Sequence, residues 1–458
     1  MAVEHKNAEL SDLGRRAVEF AIKSGAQEAE AYLSVSNNTS IDIERGQIVR
    51  SAKSVDQGLG VRVVYRKAIG FSYTDILSIK NIEEAGARAF RAAKASKPDK
   101  DWLKLPSPGR FIEAKDTFDK KIVNLTSDEL VDMTAEMLEA VTDYDKRVLA
   151  VAGGVAKSFF SSVIVNSNGV EASEVGTAVG CSMETIARDG SEVTPACYDF
   201  NTERVYNIDP LSVGVEAARQ AVFSLGSKKM GSGTFPVIFT QAAFRALIYF
   251  TMINSVKADY VQRERSAFKD KIGEQIASEL VTVYDDGLLD GGLLTGKFDD
   301  EGVPSQKTLV IEKGVLKNFL YDNYTANKVG VKSTGNASRS GVVAYASTPV
   351  LEASNFVFKK GNKPQEELIA EIENGLLVYG VQGAHSSNPE SGEFSVVATP
   401  VWKIEGGEVA YAVRDVMLTG IFYDVLWNVS ALGNNVRKLG QLVAPWINVE
   451  NVKIVGRK

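Results

Sequence analysis

Histidine and cysteine, which together with carboxylates hold most catalytic zinc ions, are scarce in this chain of 458 residues. The two histidines are His5 and His385, and the two cysteines are Cys181 and Cys197. Neither histidine has a second histidine near it, so we expect no ordinary zinc site in this chain. In a reducing compartment, we expect the cysteines to remain small buried thiols and not to pair.

Targeting segments and basic surfaces are also missing. No apolar run approaches the roughly 20 residues that a membrane helix needs. The N-terminus contains acidic residues and lacks the apolar segment of a secretory signal, so we expect a cytoplasmic protein with no membrane contact. The net charge of −6 argues against a nucleic-acid partner, because neutralising phosphates requires a basic face.

Common catalytic and nucleotide-binding motifs are absent. No glycine-rich dinucleotide fingerprint joins a strand to a helix, and neither a Walker A loop nor a serine nucleophile elbow occurs. Two acidic segments, 285–287 and 299–302, carry enough carboxylates for a hard cation. They lack the regular ligand spacing of a calcium loop, so we interpret them as turns.

Residues 1–96 indicate a first unit that begins and ends with a helix. Gly25 is the predicted C-cap of the first helix, and Ser78 is the predicted N-cap of the second. Between the helices, alternating residues predict antiparallel strands at 31–35, 40–44, 47–52, 61–65 and 69–73. The proline-containing segment 97–109 then reads as a linker.

Residues 110–226 repeat that order. A capping box of Thr126 and Glu129 begins one helix, and Asp209 followed by Pro210 begins another. The strand candidates between them are 149–156, 159–165, 169–175 and 178–188. Two helix–antiparallel-meander–helix units indicate an internal duplication, although no identity between individual residues supports it.

Residues 234–458 predict a mainly-β domain. It opens with a short buried strand at 235–239 and an apolar helix that runs through Met252. Short β-rich runs punctuated by Gly, Asn and Asp follow to the end of the chain. The predicted fold class is therefore α+β, with two α+β units followed by a mainly-β domain.

Ordered blocks in this last domain resemble the TldD/PmbA family. The blocks are Gly273–Glu279, Val283–Gly287, Phe298–Pro304 and Lys332–Asn336. Two further stretches, Gly383–Ser395 and Pro400–Val409, are closer to the PmbA (TldE) branch than to TldD. The resemblance is strong from Phe235 to the end and rests on element order alone in the N-terminal half.

The resemblance implies that this chain has lost the family's metal-binding groups. TldD subunits carry H-E-x-x-x-H on the first helix of the last domain, where two histidines hold zinc and the glutamate can act as general base. The matching positions here include Tyr249, Phe250 and Asn254. The family's later cysteine ligand should fall within 435–437, where no cysteine occurs. We therefore expect no catalytic, cofactor-binding or metal-binding residue in this chain, and core packing for Tyr249, Phe250 and Met252.

Three functional hypotheses follow. The resemblance implies a metal-free TldE-like subunit of a heterodimer in which a TldD-type partner holds zinc and cleaves unfolded or extended peptides. The alternative is a peptide-binding or scaffold protein that acts as a homodimer without proteolysis. A third possibility, an independent hydrolase using Ser386, Asp299 or Glu301, ranks last because no spacing brings a base to a nucleophile.

Overall fold

The predicted fold class is confirmed: α+β, with a β-rich C-terminal half. The computed structural model describes residues 2–339, 341 and 343–457, with side chains from residue 7 onward. Within that part of the chain, no helix is both long enough and apolar enough to span a membrane.

The first half of the chain combines helices with long antiparallel strands. Its helices are α1 (Ala2–Lys23), α2 (Ile79–Ala95), α3 (Lys120–Asn124), α4 (Ser127–Tyr144) and α5 (Pro210–Phe223). Its strands are β1 (Glu28–Glu44), β2 (Gln47–Tyr65), β3 (Ala68–Thr74), β4 (Val148–Asn166), β5 (Glu171–Asp189), β6 (Glu192–Val193) and β7 (Cys197–Glu203). The predicted caps at Ser78, Thr126 and Asp209 all form.

The two units share one sheet, because β1 pairs antiparallel with β4 from Glu30 to Glu44. The strand order is β3-β2-β1-β4-β5, and both β6 and β7 pair with β5. The prediction of separate short strands was wrong: 31–35 and 40–44 belong to one strand, and β2, β4 and β5 are equally continuous. The polar residues between the predicted strands continue the alternation, since Thr39 is buried in line with its apolar neighbours.

Alternation along β1 separates the two faces of this sheet. Leu33 and Val35 pack with α1 and α2, whereas Ile41 and Ile43 pack with α4 and α5. Helices therefore cover one face along the whole strand. The opposite side, here called the open face, carries the polar β1 residues Ser34, Ser36, Asn38, Ser40 and Asp42.

Both cysteines are free and buried, as predicted. Cys181 on β5 is opposite Asn201 on β7, whereas Cys197 is opposite Thr185. The two thiols are therefore separated by four positions along neighbouring strands. Burial raises the pKa of Cys181 to about 12 and that of Cys197 to about 11, so both are protonated near neutral pH.

The predicted linker 97–109 has no helix or strand but is packed against the first unit. Trp102 and Leu105 are buried, and the Trp102 indole N–H donates to Glu28 at 2.9 Å. This segment therefore holds a defined position and does not act as a free tether.

The C-terminal half is built mainly of short strands. Its helices are α6 (Gln241–Phe250), α7 (Met252–Ser255), α8 (Ala258–Gln262), α9 (Asn323–Val329), α10 (Gln365–Ala370) and α11 (Phe422–Trp427), with single 3₁₀ turns at Ala344–Ala346 and Ala384–Ser386. Its strands are β8 (Lys228–Lys229), β9 (Gly233–Phe239), β10 (Val283–Asp286), β11 (Lys307–Glu312), β12 (Val315–Leu316), β13 (Ala337–Ser338), β14 (Val350–Leu351), β15 (Phe356–Phe358), β16 (Asn374–Val378), β17 (Val381–Gln382), β18 (Glu393–Ala398), β19 (Val401–Glu405), β20 (Glu408–Arg414), β21 (Val416–Ile421), β22 (Val429–Leu432), β23 (Arg437–Leu439), β24 (Leu442–Ala444) and β25 (Ile447–Gly456).

Helix α6 shares a core with the two main sheets of this half. In the ten-stranded sheet, β9 lies between β25 and β16, and the six-stranded sheet has the order β12-β11-β10-β15-β24-β23. Phe244 of α6 meets Phe358 of the smaller sheet edge-to-face at 5.1 Å, and both rings are buried. The core therefore fixes the start of α6 from both sides.

A buried ion network joins the two halves. The Arg62 guanidinium donates from Nη2 to Glu30 at 2.7 Å and to Glu301 of the C-terminal half at 2.8 Å. Arg339, also from the C-terminal half, donates to Glu30. All four side chains are at most 6% exposed, so each charge depends on its partners and not on water.

A second connection runs through Arg204, which follows β7. Its guanidinium donates to the backbone carbonyls of Thr177 and Thr117 at 2.8 Å each, and to that of Thr295 at 3.1 Å. The side chain is buried and bridges the second unit to the C-terminal half.

Removing the central cation should destabilise the whole assembly. We expect Arg62→Met to cost about 3–5 kcal/mol of unfolding free energy, because Glu301 is left buried without a cation and Glu30 keeps only Arg339. The measurement is the urea unfolding midpoint. The control is Arg16→Met, which removes an exposed pair with Asp12 and should cost less than about 1 kcal/mol. Equal effects would contradict the network's role.

Candidate functional site

Helix α6 stops two residues before the predicted helix does. Its N-cap is Thr240, and it ends at Phe250 because Thr251 leaves the helical conformation at φ −121° and ψ −88°. The Thr251 hydroxyl donates to the carbonyl of Leu247 at 2.7 Å, a bond that favours bending of the helix. The prediction of one continuous helix through Met252 was therefore wrong at Thr251.

The three positions matched to the family's metal motif flank this break. Tyr249 and Phe250 form the last turn of α6, and Asn254 lies in α7. Tyr249 is 45% exposed and meets the Phe250 ring edge-to-face at 5.0 Å. The core-packing interpretation is right for buried Met252 but wrong for Tyr249, because the helix turns that residue away from the core.

These side chains do not fit a catalytic zinc ion. A phenol, a phenyl ring and a carboxamide stand where imidazole ligands and a carboxylate base would be needed. Among the residues whose side chains are described, no three or more His, Cys, Asp or Glu side chains are grouped so as to hold a metal ion. The correspondence of Tyr249, Phe250 and Asn254 to the lost ligands stays a prediction.

The PmbA-like block 383–395 packs beside the break. Its 3₁₀ turn at Ala384–Ser386 contacts α6 and presents an exposed His385. At the end of α7, the Ser255 hydroxyl is 2.6 Å from the Tyr423 hydroxyl and donates to the carbonyl of Pro389 at 2.9 Å. These contacts hold α7 against the block, so the backbone around the break is well supported.

The segment expected to match the family's cysteine lies beside the start of α6, not at its end. The Gln241 side chain donates to the carbonyl of Asn435 at 2.5 Å. Gln241 precedes Tyr249 by eight residues, which is about 12 Å along a helix axis. Arg437 turns away to donate to Asp199 at 2.8 Å. Asn435 therefore contacts the first turn of α6, and the Arg437 guanidinium is bound to the second unit.

The residues of the hydrolase hypothesis are engaged elsewhere. The Ser386 hydroxyl donates to the carbonyl of Gly383 in its own turn at 2.8 Å. Asp299 accepts backbone N–H groups of Glu301, Val303 and Ala337 at 2.9–3.0 Å, and Glu301 belongs to the ion network. No base is therefore placed against the serine among the described contacts.

Segment 299–302 forms a turn, as interpreted from sequence, whereas the interpretation of 285–287 as a turn was wrong for Asp285 and Asp286, which belong to strand β10. Asp285 accepts from the side chains of Asn336 at 2.7 Å and Ser354 at 2.8 Å, and burial raises its pKa to about 6. Asp286 pairs with Lys307 at 2.8 Å. Their oxygens are thus used within the fold.

A cavity of about 420 Å³, within the usual range for ligand sites, lies between the open face and the C-terminal half. Ser34, Ser36 and Glu174 line it from the sheet, and Asp299 and Asp300 line it from the opposite wall. Sequence reasoning missed this site because its two walls are far apart along the chain. The feature of the sequence that could have indicated this cavity is the acidic Glu174 among small residues on β5.

Glu174 contributes a titratable carboxyl group to the lining of this cavity. Its carboxylate accepts the Lys297 N–H at 2.9 Å, and Gly296 lies so close that a Cβ atom there would be 2.8 Å from Oε1. Burial, together with the charge of Asp300, raises the pKa of Glu174 to about 7. The cavity therefore changes its charge near neutral pH.

Comparison with known proteins reveals full-length relationships. The matching family models are PmbA/TldA metallopeptidase domain 1 at residues 29–93, the central domain at 120–225 and the C-terminal domain at 232–456. TldE from Thermococcus kodakarensis superposes with a TM-score of 0.91 at 29% identity, covering 97% of this chain and 100% of the other.

Two relatives are similar to this chain in amino-acid sequence over almost its whole length. An uncharacterised protein of Methanocaldococcus jannaschii is 30% identical, covering 93% of this chain and 97% of its own. The metalloprotease PmbA of Escherichia coli O157:H7 is 25% identical, covering 99% and 98%. The fold is thus that of a metallopeptidase in three parts. The chain belongs to the PmbA/TldD metalloprotease family.

The pKa of Glu174 predicts a pH-dependent stability difference. A carboxyl group whose pKa is raised from 4.5 to about 7 on folding reduces stability as pH rises from about 4.5 to 7. Glu174→Gln keeps the acceptor for Lys297 and removes this penalty. We expect the variant to be more stable than the parent at pH 8, by at most about 3 kcal/mol, and nearly equal to it at pH 4.5.

Urea unfolding at both pH values measures this difference. The control is Glu184→Gln, ten residues further along β5 and outside the cavity lining, with an expected change within about 0.5 kcal/mol. A Glu174→Gln effect that does not vary with pH would contradict the assignment.

Proposed function

We propose that this chain is the metal-free, non-catalytic subunit of a heterodimeric metallopeptidase. A TldD-type partner carries the zinc ion and its H-E-x-x-x-H motif and cleaves unfolded or extended peptides. The observation that carries this proposal is the set of side chains around the α6–α7 break, Tyr249, Phe250 and Asn254, none of which suits a hydrolytic zinc site.

Full-length similarity to a TldE structure at 29% identity supports a TldE-like role. The packing of α6 also supports this assignment. The helix keeps its core contacts through Phe244 and Leu247, although no metal ligand lies at its end. Such a subunit contributes binding surface to the complex, and its partner catalyses peptide cleavage.

The open face supports a role in holding peptide. Polar and small side chains line it from Ser34 to Asp42, and the residues from Asn38 onward line a second cavity of about 500 Å³. Eight residues of strand span about 26 Å, enough for an extended segment. Backbone groups of an extended peptide would meet hydroxyl and amide partners there.

The second candidate is a peptide-binding or scaffold protein that acts as a homodimer without proteolysis. The same open face favours it, because binding an extended chain needs no metal. The two candidates differ in the composition of the native complex: a zinc-bearing chain of the same family accompanies this one only under the first. A cytoplasmic location and the absence of nucleic-acid and membrane partners remain part of both proposals.

Reconstitution tests the first candidate. We expect the purified chain to contain no stoichiometric zinc and to leave an unstructured fluorogenic peptide intact. Mixing with a TldD-type subunit from the same genome should yield cleavage that exceeds the activity of that subunit alone. The measurements are metal content by atomic emission and the rate of peptide cleavage.

Two controls define the result. Chelating the partner's zinc before mixing should abolish cleavage, and heat-denatured chain should not stimulate the partner. Stoichiometric zinc in the isolated chain, together with cleavage by that chain alone, would contradict the proposal.

A further inference from the structure

A separate cavity, also of about 420 Å³, lies where the first unit meets the C-terminal half. Arg62 lines it from β2, and Trp102 lines it from the segment that follows α2. On the other side it is lined by Asp259 of α8 and by Asp322, the N-cap of α9. None of these residues lines the cavity at Glu174, so this is a different site, here called the Arg62 cavity.

Arg62 has N–H groups that the fold leaves unused. Its side chain is more than nine-tenths buried, and both of its hydrogen bonds, to Glu30 and Glu301, leave from Nη2. A guanidinium also carries one N–H on Nε and two on the other terminal nitrogen. Within the described part of the chain, Nε has no hydrogen-bond partner, and neither ion-pair contact involves Nη1. This wall of the cavity therefore lacks an acceptor.

Asp259 lacks a donor. Its Oδ1 is buried and has no hydrogen-bond partner among the described residues. Other carboxylates lie close to it: burial, together with the charges of Glu301 and Asp259, raises the pKa of Asp322. Asp259 therefore stands in an acidic part of the cavity, where a cationic donor is favoured over a neutral one.

The charges around Arg62 determine which kind of acceptor suits it. The two cations and two carboxylates of the buried ion network sum to zero, so the network needs no further charge. An anionic acceptor would approach Glu301 and Asp322 as well as Arg62, and like charges repel strongly away from water. A neutral carbonyl oxygen accepts from the guanidinium without that repulsion.

Two further cations line the cavity but do not alter this balance. Lys328 is paired with Asp101 at 3.2 Å, and Arg263 is exposed to solvent, where its charge is screened. The inner wall of the cavity therefore favours a ligand with an ammonium group and a neutral carbonyl.

Apolar side chains cover much of the remaining wall. They are those of Ile69, Trp102, Tyr324, Pro349 and Leu351. The Trp102 and Tyr324 rings have their centroids 6.5 Å apart. Such a surface suits a hydrocarbon or aromatic group on the same ligand.

We propose that the Arg62 cavity binds an α-amino amide. Its ammonium group pairs with Asp259, its neutral carbonyl accepts from the unused N–H groups of Arg62, and an apolar side chain packs against Trp102 and Tyr324. Free amino amides and the N-termini of peptides share this chemistry. The inference goes beyond the proposed function, because it concerns a ligand site of the chain on its own and needs neither zinc nor a partner.

Isothermal titration calorimetry of the purified full chain tests this ligand class. At pH 6.5, below the usual pKa of an α-amino group, phenylalaninamide should bind with a Kd of about 0.1–1 mM. N-acetylphenylalaninamide lacks the ammonium group and phenethylamine lacks the carbonyl. Each should bind about tenfold more weakly, because a hydrogen bond to a charged side chain is lost. Phenylalanine, with a carboxylate in place of the amide, should also bind more weakly.

Asp259→Asn tests the ammonium contact with little change in shape. We expect phenylalaninamide to bind about tenfold more weakly to this variant, whereas N-acetylphenylalaninamide should bind as it does to the parent. A purely structural role of Asp259 would weaken both compounds alike. The matched control is Asp132→Asn, at an exposed position of α4 outside the cavity, which should leave all affinities unchanged.

Phenylalanyl-glycinamide distinguishes the two sources of the ligand, because it extends the chain beyond the first carbonyl. Tighter binding than that of phenylalaninamide assigns the site to peptide N-termini, and weaker binding assigns it to a free amino amide. Both results retain the site.

Three results would overturn the proposal: no binding of phenylalaninamide at ten times the expected Kd, equal binding of its N-acetyl form, or tighter binding of phenylalanine. None of them affects cleavage on mixing with a zinc-bearing subunit, so failure here is distinguishable from failure of the proposed function.

Discussion

The buried ion network of Glu30, Arg62, Glu301 and Arg339 is the constraint on which the relation between the two halves depends. Each of these charges is removed from water, and two of the contacts cross from the N-terminal sheet to the C-terminal half. If one half were displaced, a buried charge would lose its partner, which costs several kcal/mol. The network therefore selects one docking geometry. That geometry sets the cavity between the open face and the turn that contains Asp299.

The region around α6 shows how a helix end without metal-ligating side chains is held in a stable structure. The stabilising contacts of this helix come from its buried face, where Phe244 and Leu247 pack between two sheets. Tyr249 points outward and contributes little to the core. Replacement of a ligand at such a position leaves the packing unchanged, so the fold and the chemistry can vary independently. Under the proposed function, this chain retains the shared fold while its partner holds the zinc site.

Sequence reasoning predicted what depends on local chemistry and missed what depends on distant pairing. The caps at Ser78, Thr126 and Asp209 were predicted because a capping side chain bonds only to its own helix start. The β1–β4 pairing and the cavity at Glu174 join segments more than a hundred residues apart, and no periodicity encodes such partners. The polar residues 36–39 separated two predicted strands, although they continue a single strand. The exposure of Tyr249 was missed although helical periodicity places this residue off the buried stripe of Phe244, Leu247 and Ile248.

In the proposed function, the hydrolytic metal belongs to a partner and not to this chain. The most direct measurement is anomalous diffraction at the zinc edge from crystals of the complex between this chain and a TldD-type subunit. We expect a zinc peak at the partner's histidines and none within bonding distance of Tyr249, Phe250 or Asn254. A full-occupancy zinc peak beside those three residues would contradict it.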